Sequence, residues 1–194
     1  MGPHERYFQK HRDFYHAYGI AMSLWASVER GFADLFVAIT GMQATVGQSV
    51  FFSARSFQGR ADMFLAATDH ARTVPAGRAF LRDAMNLAKR WQSTRNQMAH
   101  DMHELVLEDG EIEGSLAITS RGGAQLRVAE MEQTAKNLFQ LMQLLTYCRG
   151  TRTLLREPEL CGELLALLPR DSLRAPKDPT AIGTLLGRIE QSPD

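Results

Sequence analysis

Apolar residues recur along the first half of the chain in steps of three and four. Phe14, Tyr18, Ala21, Trp25, Val28, Phe32, Leu35 and Ile39 form one unbroken stripe, which predicts a helix of about seven turns ending near Gly41. An aromatic-rich stripe of this kind reads as core or subunit interface. Val50, Ala54, Phe57, Ala61, Phe64, Ala67 and Ala71 predict a second helix between Met42 and about Ala71, with a break placed near Gly59. Thr73-Val74-Pro75 reads as a turn, with Pro75 close to the first position of a third helix that runs to about Met102. Its stripe is Leu81, Ala84, Ala88, Trp91, Arg95, Met98 and Met102.

The period then changes from helical to alternating. Leu105, Leu107, Asp109-Gly110, Ile112, Leu116 and Ile118 predict a small β-hairpin, and Arg121-Gly122-Gly123 a loop. A fourth long helix follows from about Val128, burying Met131, Ala135, Leu138, Met142 and Leu145, and a short one is expected from Glu159 to Leu168. The fold class is therefore all-α: a bundle of four to five helices with a hairpin inserted between helices 3 and 4. Residues 1–168 form the helical domain. Residues 169–194, with Pro169, Pro176, Pro179 and Pro193, read as a tail in which Ile182, Leu185, Leu186 and Ile189 offer one short amphipathic helix.

Composition narrows the partners. The 194 residues carry 22 basic and 22 acidic side chains, so any site for a polyanion has to be local. Arg149, Arg152 and Arg156 share a helical spacing but read as a solvated helix end that complements the dipole. Two cysteines, Cys148 and Cys161, make neither a disulfide framework nor a metal quartet, and buried thiols in a reducing compartment are the simpler expectation. Residues 1–12 lack the apolar run of a secretory leader, and no stretch reaches the roughly 20 apolar residues of a spanning helix. A cytoplasmic protein without membrane partners is expected.

The chemistry concentrates in Arg95-Asn96-Gln97-Met98-Ala99-His100. Arg95 falls inside an apolar seam, and a guanidinium there needs a carboxylate, a phosphate or a route to water. Asn96 and His100 are four apart and share a face, so the amide can orient the ring. Arg95 and His100 are five apart, about 140° round an ideal helix. They converge on one ligand only if the helix is irregular or two copies cooperate. Together they supply a permanent cation, a neutral orienting group and the side chain that exchanges protons near neutral pH. These parts suit cleavage of RNA, in which the ribose 2′-hydroxyl attacks its own phosphodiester, the histidine moves a proton and the arginine steadies the charge that develops.

Arg95-Asn96-x-x-Ala99-His100 resembles the Arg-x4-6-His signature of HEPN domains (higher eukaryotes and prokaryotes nucleotide-binding). The resemblance, which on helix order extends over roughly Phe14 to Arg156, implies a homodimer whose motifs face each other across a two-fold axis. It further implies a metal-independent endoribonuclease of toxin–antitoxin or anti-phage systems, with RNA as substrate, an antitoxin or regulatory protein as partner and no cofactor. Arg95 and His100 become the catalytic pair, Asn96 their polar companion, and Arg90 and His103 flanking substrate-binding residues. A non-catalytic HEPN-like dimer that binds RNA, a nucleotide or a protein is the alternative. Spacing by itself is weak, since Arg6 and His11 also satisfy it. Two further readings stay open. Asp62 or Asp69 can hold Arg95 in a structural ion pair while His100 and Asn96 cap the helix. His100, His103 and Glu104 can face one metal ion, though no further ligand is evident.

Overall fold

The computed structural model describes residues 3–106, 115–119, 125–150 and 157–169. Among these are six helices: α1 (Pro3–Thr40), α2 (Ala44–Ser53), α3 (Phe57–Asp69), α4 (Pro75–His100), α5 (Val128–Gly150) and α6 (Pro158–Leu167). Three strands, β1 (Met102–Val106), β2 (Ser115–Thr119) and β3 (Gln125–Leu126), lie between α4 and α5 in the order β1-β2-β3, with both pairs antiparallel. The chain is mostly helical, as the periodicity predicts.

Most of the predicted stripe positions become the core, Val50 being exposed. α1 lies along α5 and α2, α3 packs on α4, and α6 packs on α4. The larger apolar cluster joins Trp25, Val28, Phe32 and Phe36 of α1 to Phe51, Phe64, Phe80, Trp91, Leu138 and Leu164. Phe32 meets Phe64 edge-on with ring centroids 5.2 Å apart, and Trp25 meets Phe57 at 4.9 Å. A smaller cluster sits at the other end of α1, where Phe14, Ala17 and Ala21 meet Met98, Ile118, Leu126 and Met131. Both clusters use the one stripe on α1. Asp34 ties three helices together at the surface, accepting from Gln48 of α2 at 2.7 Å and from Arg149 of α5 at 2.9 Å. Arg149 is thus paired, while Arg152 and Arg156 lie outside the described residues.

Four boundaries differ from the expectation. α1 starts at Pro3, eleven residues before Phe14, because Pro3 fits a first turn, Glu5 complements the dipole there, and Gln9 bonds Asp13 one turn on at 2.6 Å. The second predicted helix is two. The break falls at residues 54–56 rather than near Gly59, since Ser56 caps α3 by accepting from the Gly59 backbone N–H at 3.1 Å. Arg60 stitches that break, with Nε donating to Ala54 O at 3.0 Å, Nη1 to Glu29 at 3.0 Å, and its guanidinium over the Phe52 ring at 5.3 Å. α4 ends at His100, so Met102 opens β1 instead of closing the helix. The hairpin gains a third strand, β3, where Leu126 pairs opposite Ile118. Among the described residues the bundle therefore has six helices rather than four or five. The Asp109-Gly110 turn, Ile112, the loop at Arg121-Gly122-Gly123 and the tail from position 170 lie outside the described residues.

Cys148 of α5 and Cys161 of α6 are buried and form no disulfide. Burial, above all, and then the nearness of Cys161 push the Cys148 thiol up, and burial does the same to Cys161. A raised pKa keeps each sulfur protonated and unreactive at neutral pH. Neither thiol should be alkylated by maleimide in the native protein at pH 7.5 within minutes, and both should react once urea unfolds it. Mass spectrometry of the alkylated chain checks this, and rapid native modification of either residue contradicts it.

Candidate functional site

The candidate site occupies the last two turns of α4. This helix is entered through Pro75 in its first turn and closed by the Asp101 N–H donating to Gln97 O at 3.0 Å. Along its buried face Leu81, Ala84, Ala88 and Trp91 belong to the larger apolar cluster and Met98 to the smaller. Arg95 holds the stripe position between Trp91 and Met98. That position lies where the two clusters part. Gln97 fastens this end of the helix to β2, donating from Nε2 to Ile118 O at 3.3 Å.

Arg95 is half-buried, its Nε is sealed from solvent without an acceptor, and Nη1 donates to Asn96 Oδ1 at 3.3 Å. A neutral amide at that distance compensates a cation poorly. The carboxylates proposed to hold it are engaged elsewhere. Asp69 pairs with Arg82, and Asp62 lies 3.6 Å from Lys89 while accepting from Gln58 at 2.6 Å. These pairs explain the gap. Moving from Asp69–Arg82 to Asp62–Lys89 advances seven positions along α4 and retreats seven along α3, so the two helices run antiparallel. The next step would set position 96 opposite position 55, ahead of the start of α3 at Phe57. The acid-lined helix has ended before it can reach Arg95. An ion pair with Asp62 or Asp69 is therefore not formed, and among the described residues no carboxylate replaces it.

Asn96 also departs from its expected role. Its carbonyl oxygen serves Arg95, and no hydrogen bond joins it to His100 among the described residues. His100 is the last residue of α4, exposed, on a different face from Arg95. The structure brings Arg95 and Asn96 together and leaves His100 one turn on, with its ring open to an incoming group. Arg90 is not part of this constellation. It is exposed and lines a separate groove between α4 and α6, with Asp83, Asn86, Leu87, Leu165 and Leu168. His103 lies on β1 opposite Ile118. Among the described residues no group of three or more His, Cys, Asp and Glu could hold a metal.

Two features escaped the sequence reasoning. Gln97 inside the motif anchors β2, for which the only sequence signal is its position. Trp25 carries a second buried N–H without an acceptor, at the point where α1 in turn passes from one cluster to the other.

An arginine with no carboxylate partner among the described residues is dispensable for folding. Arg95→Met should leave the urea unfolding midpoint unchanged or raise it, because a half-buried charge is replaced by a side chain suited to the seam. Arg60→Met, which removes the Glu29 pair and the Ala54 bond, should cost about 1–3 kcal/mol. A loss at Arg95→Met as large as that at Arg60→Met contradicts this assignment. Compared with known proteins, the chain matches no family model, no curated protein and no solved structure.

Proposed function

We propose that the chain is a HEPN-like, metal-independent endoribonuclease that acts as a homodimer in the cytoplasm, in the manner of a toxin or an anti-phage component held in check by a regulatory protein. The observation that carries this reading is the unpaired Arg95. A cation kept half out of water with no carboxylate beside it among the described residues is poised for an anion that arrives from outside, and a phosphodiester has the charge and the acceptor oxygens to satisfy it. Neutral overall charge makes such a local site the more necessary.

In the reaction the ribose 2′-oxygen bonds to the adjacent phosphorus and the bond to the 5′-oxygen breaks. His100 takes the proton from the 2′-hydroxyl or returns one to the departing 5′-oxygen, and Arg95 neutralises charge on the phosphoryl oxygens as it builds. Asn96 positions the guanidinium through its Oδ1. Arg95 and His100 diverge within one α4, so the catalytic pair is assembled from Arg95 of one copy and His100 of a second across a two-fold axis. A second reading draws on His100 being exposed and unanchored: the same surface serves a non-catalytic dimer that binds RNA, a nucleotide or a protein.

Purified protein incubated with single-stranded RNA in excess chelator separates the readings. Cleavage leaving 2′,3′-cyclic phosphate ends should be undiminished by chelator and should fall at least 100-fold in both Arg95→Ala and His100→Ala. Loss at one position alone, or at neither, removes the pair from catalysis. Binding without cleavage selects the second reading.

A further inference from the structure

A groove of about 570 Å³ lies along the seam between α1 and α5. The two helices run in the same direction, since Asp34 near the end of α1 bonds Arg149 near the end of α5, and Gly31 lies against Leu145. Ile20 therefore stands level with Ala135, and Leu24 with Phe139. Ala17 and Ala135 are small and buried and make a shallow floor, beside which Ile20 and Phe139 rise with 41% and 47% exposure. The same two alanines belong to the smaller core cluster with Met98, so the end of α4 lies beneath the floor and the groove opens on the opposite side. Isolated exposed apolar residues are ordinary, whereas two large ones beside one trough mark a surface that something covers.

The charges on the rim select the occupant. Glu132 and Lys136 line the groove from α5, and both are exposed. An acid four residues ahead of a base is placed to pair along a helix, yet no ion pair joins these two, and among the described residues neither has another partner. An acid and a base one turn apart are their own complement. Turned end for end about a two-fold axis, a second α5 offers its base to this acid and its acid to this base. A partner of uniform charge would satisfy one and repel the other. The apolar residues obey the same symmetry: with Glu132 opposite Lys136 of the other copy, the axis crosses midway between those positions, and Ile20 of each copy falls over the Ala17 floor of the other. α2 also turns Met42, Val46 and Val50 outward, but no charged residue occurs from Leu35 to Ala54 to select what meets them.

We propose that the α1–α5 groove is a contact between two copies of this chain, set antiparallel about a two-fold axis, with Glu132 of each paired to Lys136 of the other and Ile20 and Phe139 withdrawn from water. The groove faces away from the end of α4, so this contact is additional to one that joins Arg95 to His100 and stands without it. Two different two-fold contacts on one chain generate a closed tetramer or an open row of copies. A contact centred on about 12 Å of helix is at the small end of specific interfaces, below about 1,200 Å², so the pairing is reversible and depends on concentration.

Sedimentation velocity on the full chain, from about 1 to about 300 µM, tests the contact through a charge exchange. Glu132→Lys sets lysine against lysine and Lys136→Glu sets glutamate against glutamate, and each should weaken one association step of the wild type at least tenfold. Glu132→Lys/Lys136→Glu together should restore that step to within threefold, a rescue that a structural role within one chain does not produce. Ile20→Ser should weaken the same step at unchanged circular dichroism, and because the charged positions are exposed, a folding defect at Ile20 does not decide the matter. A wild type without an association step that responds to the single exchanges overturns the proposal, as does a combined variant no stronger than either single one. Arg95→Ala and His100→Ala should leave this step as it is, so the ribonuclease reading and this contact can each fail without the other.

Discussion

One apolar stripe on α1 holds the molecule together. From Phe14 to Phe36 it passes continuously through two clusters, the larger built with α2, α3, α4, α5 and α6 and the smaller with the end of α4, the sheet and the start of α5. Burial of aromatic side chains such as Phe14, Phe32 and Trp25 supplies the driving force. Because a single helix serves both clusters, the end of α4 is positioned by the same stripe that organises the bundle. Met98 belongs to the smaller cluster and Trp91 to the larger, which leaves Arg95 at their junction.

Two arginines show what that junction means. Arg60 is mostly buried, and its Nε, its Nη1 and its face all have partners: a backbone carbonyl, a carboxylate and an aromatic ring. Arg95 is set into the bundle as well, yet among the described residues it has one neutral partner and a sealed Nε with none. Leaving a donor unsatisfied costs about 1–3 kcal/mol, which a fold under selection for stability alone would shed by substituting an apolar residue. Sites that bind anions hold such charges in readiness, their stability given up for affinity.

Much of this was legible in the sequence. The stripes on α1, α4 and α5 are long and strictly periodic, so helix identity and buried face followed from spacing. The seam position of Arg95 followed too, since it needs only the count from Trp91 and Met98. What the sequence lacked was tertiary register. The break between α2 and α3 was misplaced because Val50, Ala54, Phe57 and Ala61 keep a helical step straight across it, and the carboxylate that anchors Arg60 at the break, Glu29, is far away in the chain. Asp62 and Asp69 looked available to Arg95 because both lie on a neighbouring helix. Only the antiparallel pairing with Lys89 and Arg82 shows that α3 ends before reaching it. A strand as short as Gln125–Leu126 exists only through its pairing with β2 and leaves no periodic trace.

The central claim is that Arg95 is an anion-seeking group rather than a structural one, and the guanidinium N–H itself reports on it. In ¹⁵N-resolved spectra of arginine side chains, with the Arg95 signal identified from its disappearance in Arg95→Lys, an uncleavable 2′-O-methyl RNA oligonucleotide should move the Arg95 Nε–H resonance downfield in a saturable way. The Arg60 and Arg149 signals, already bonded to Glu29 and Asp34, should stay in place. An Arg95 resonance that ignores saturating oligonucleotide contradicts the account.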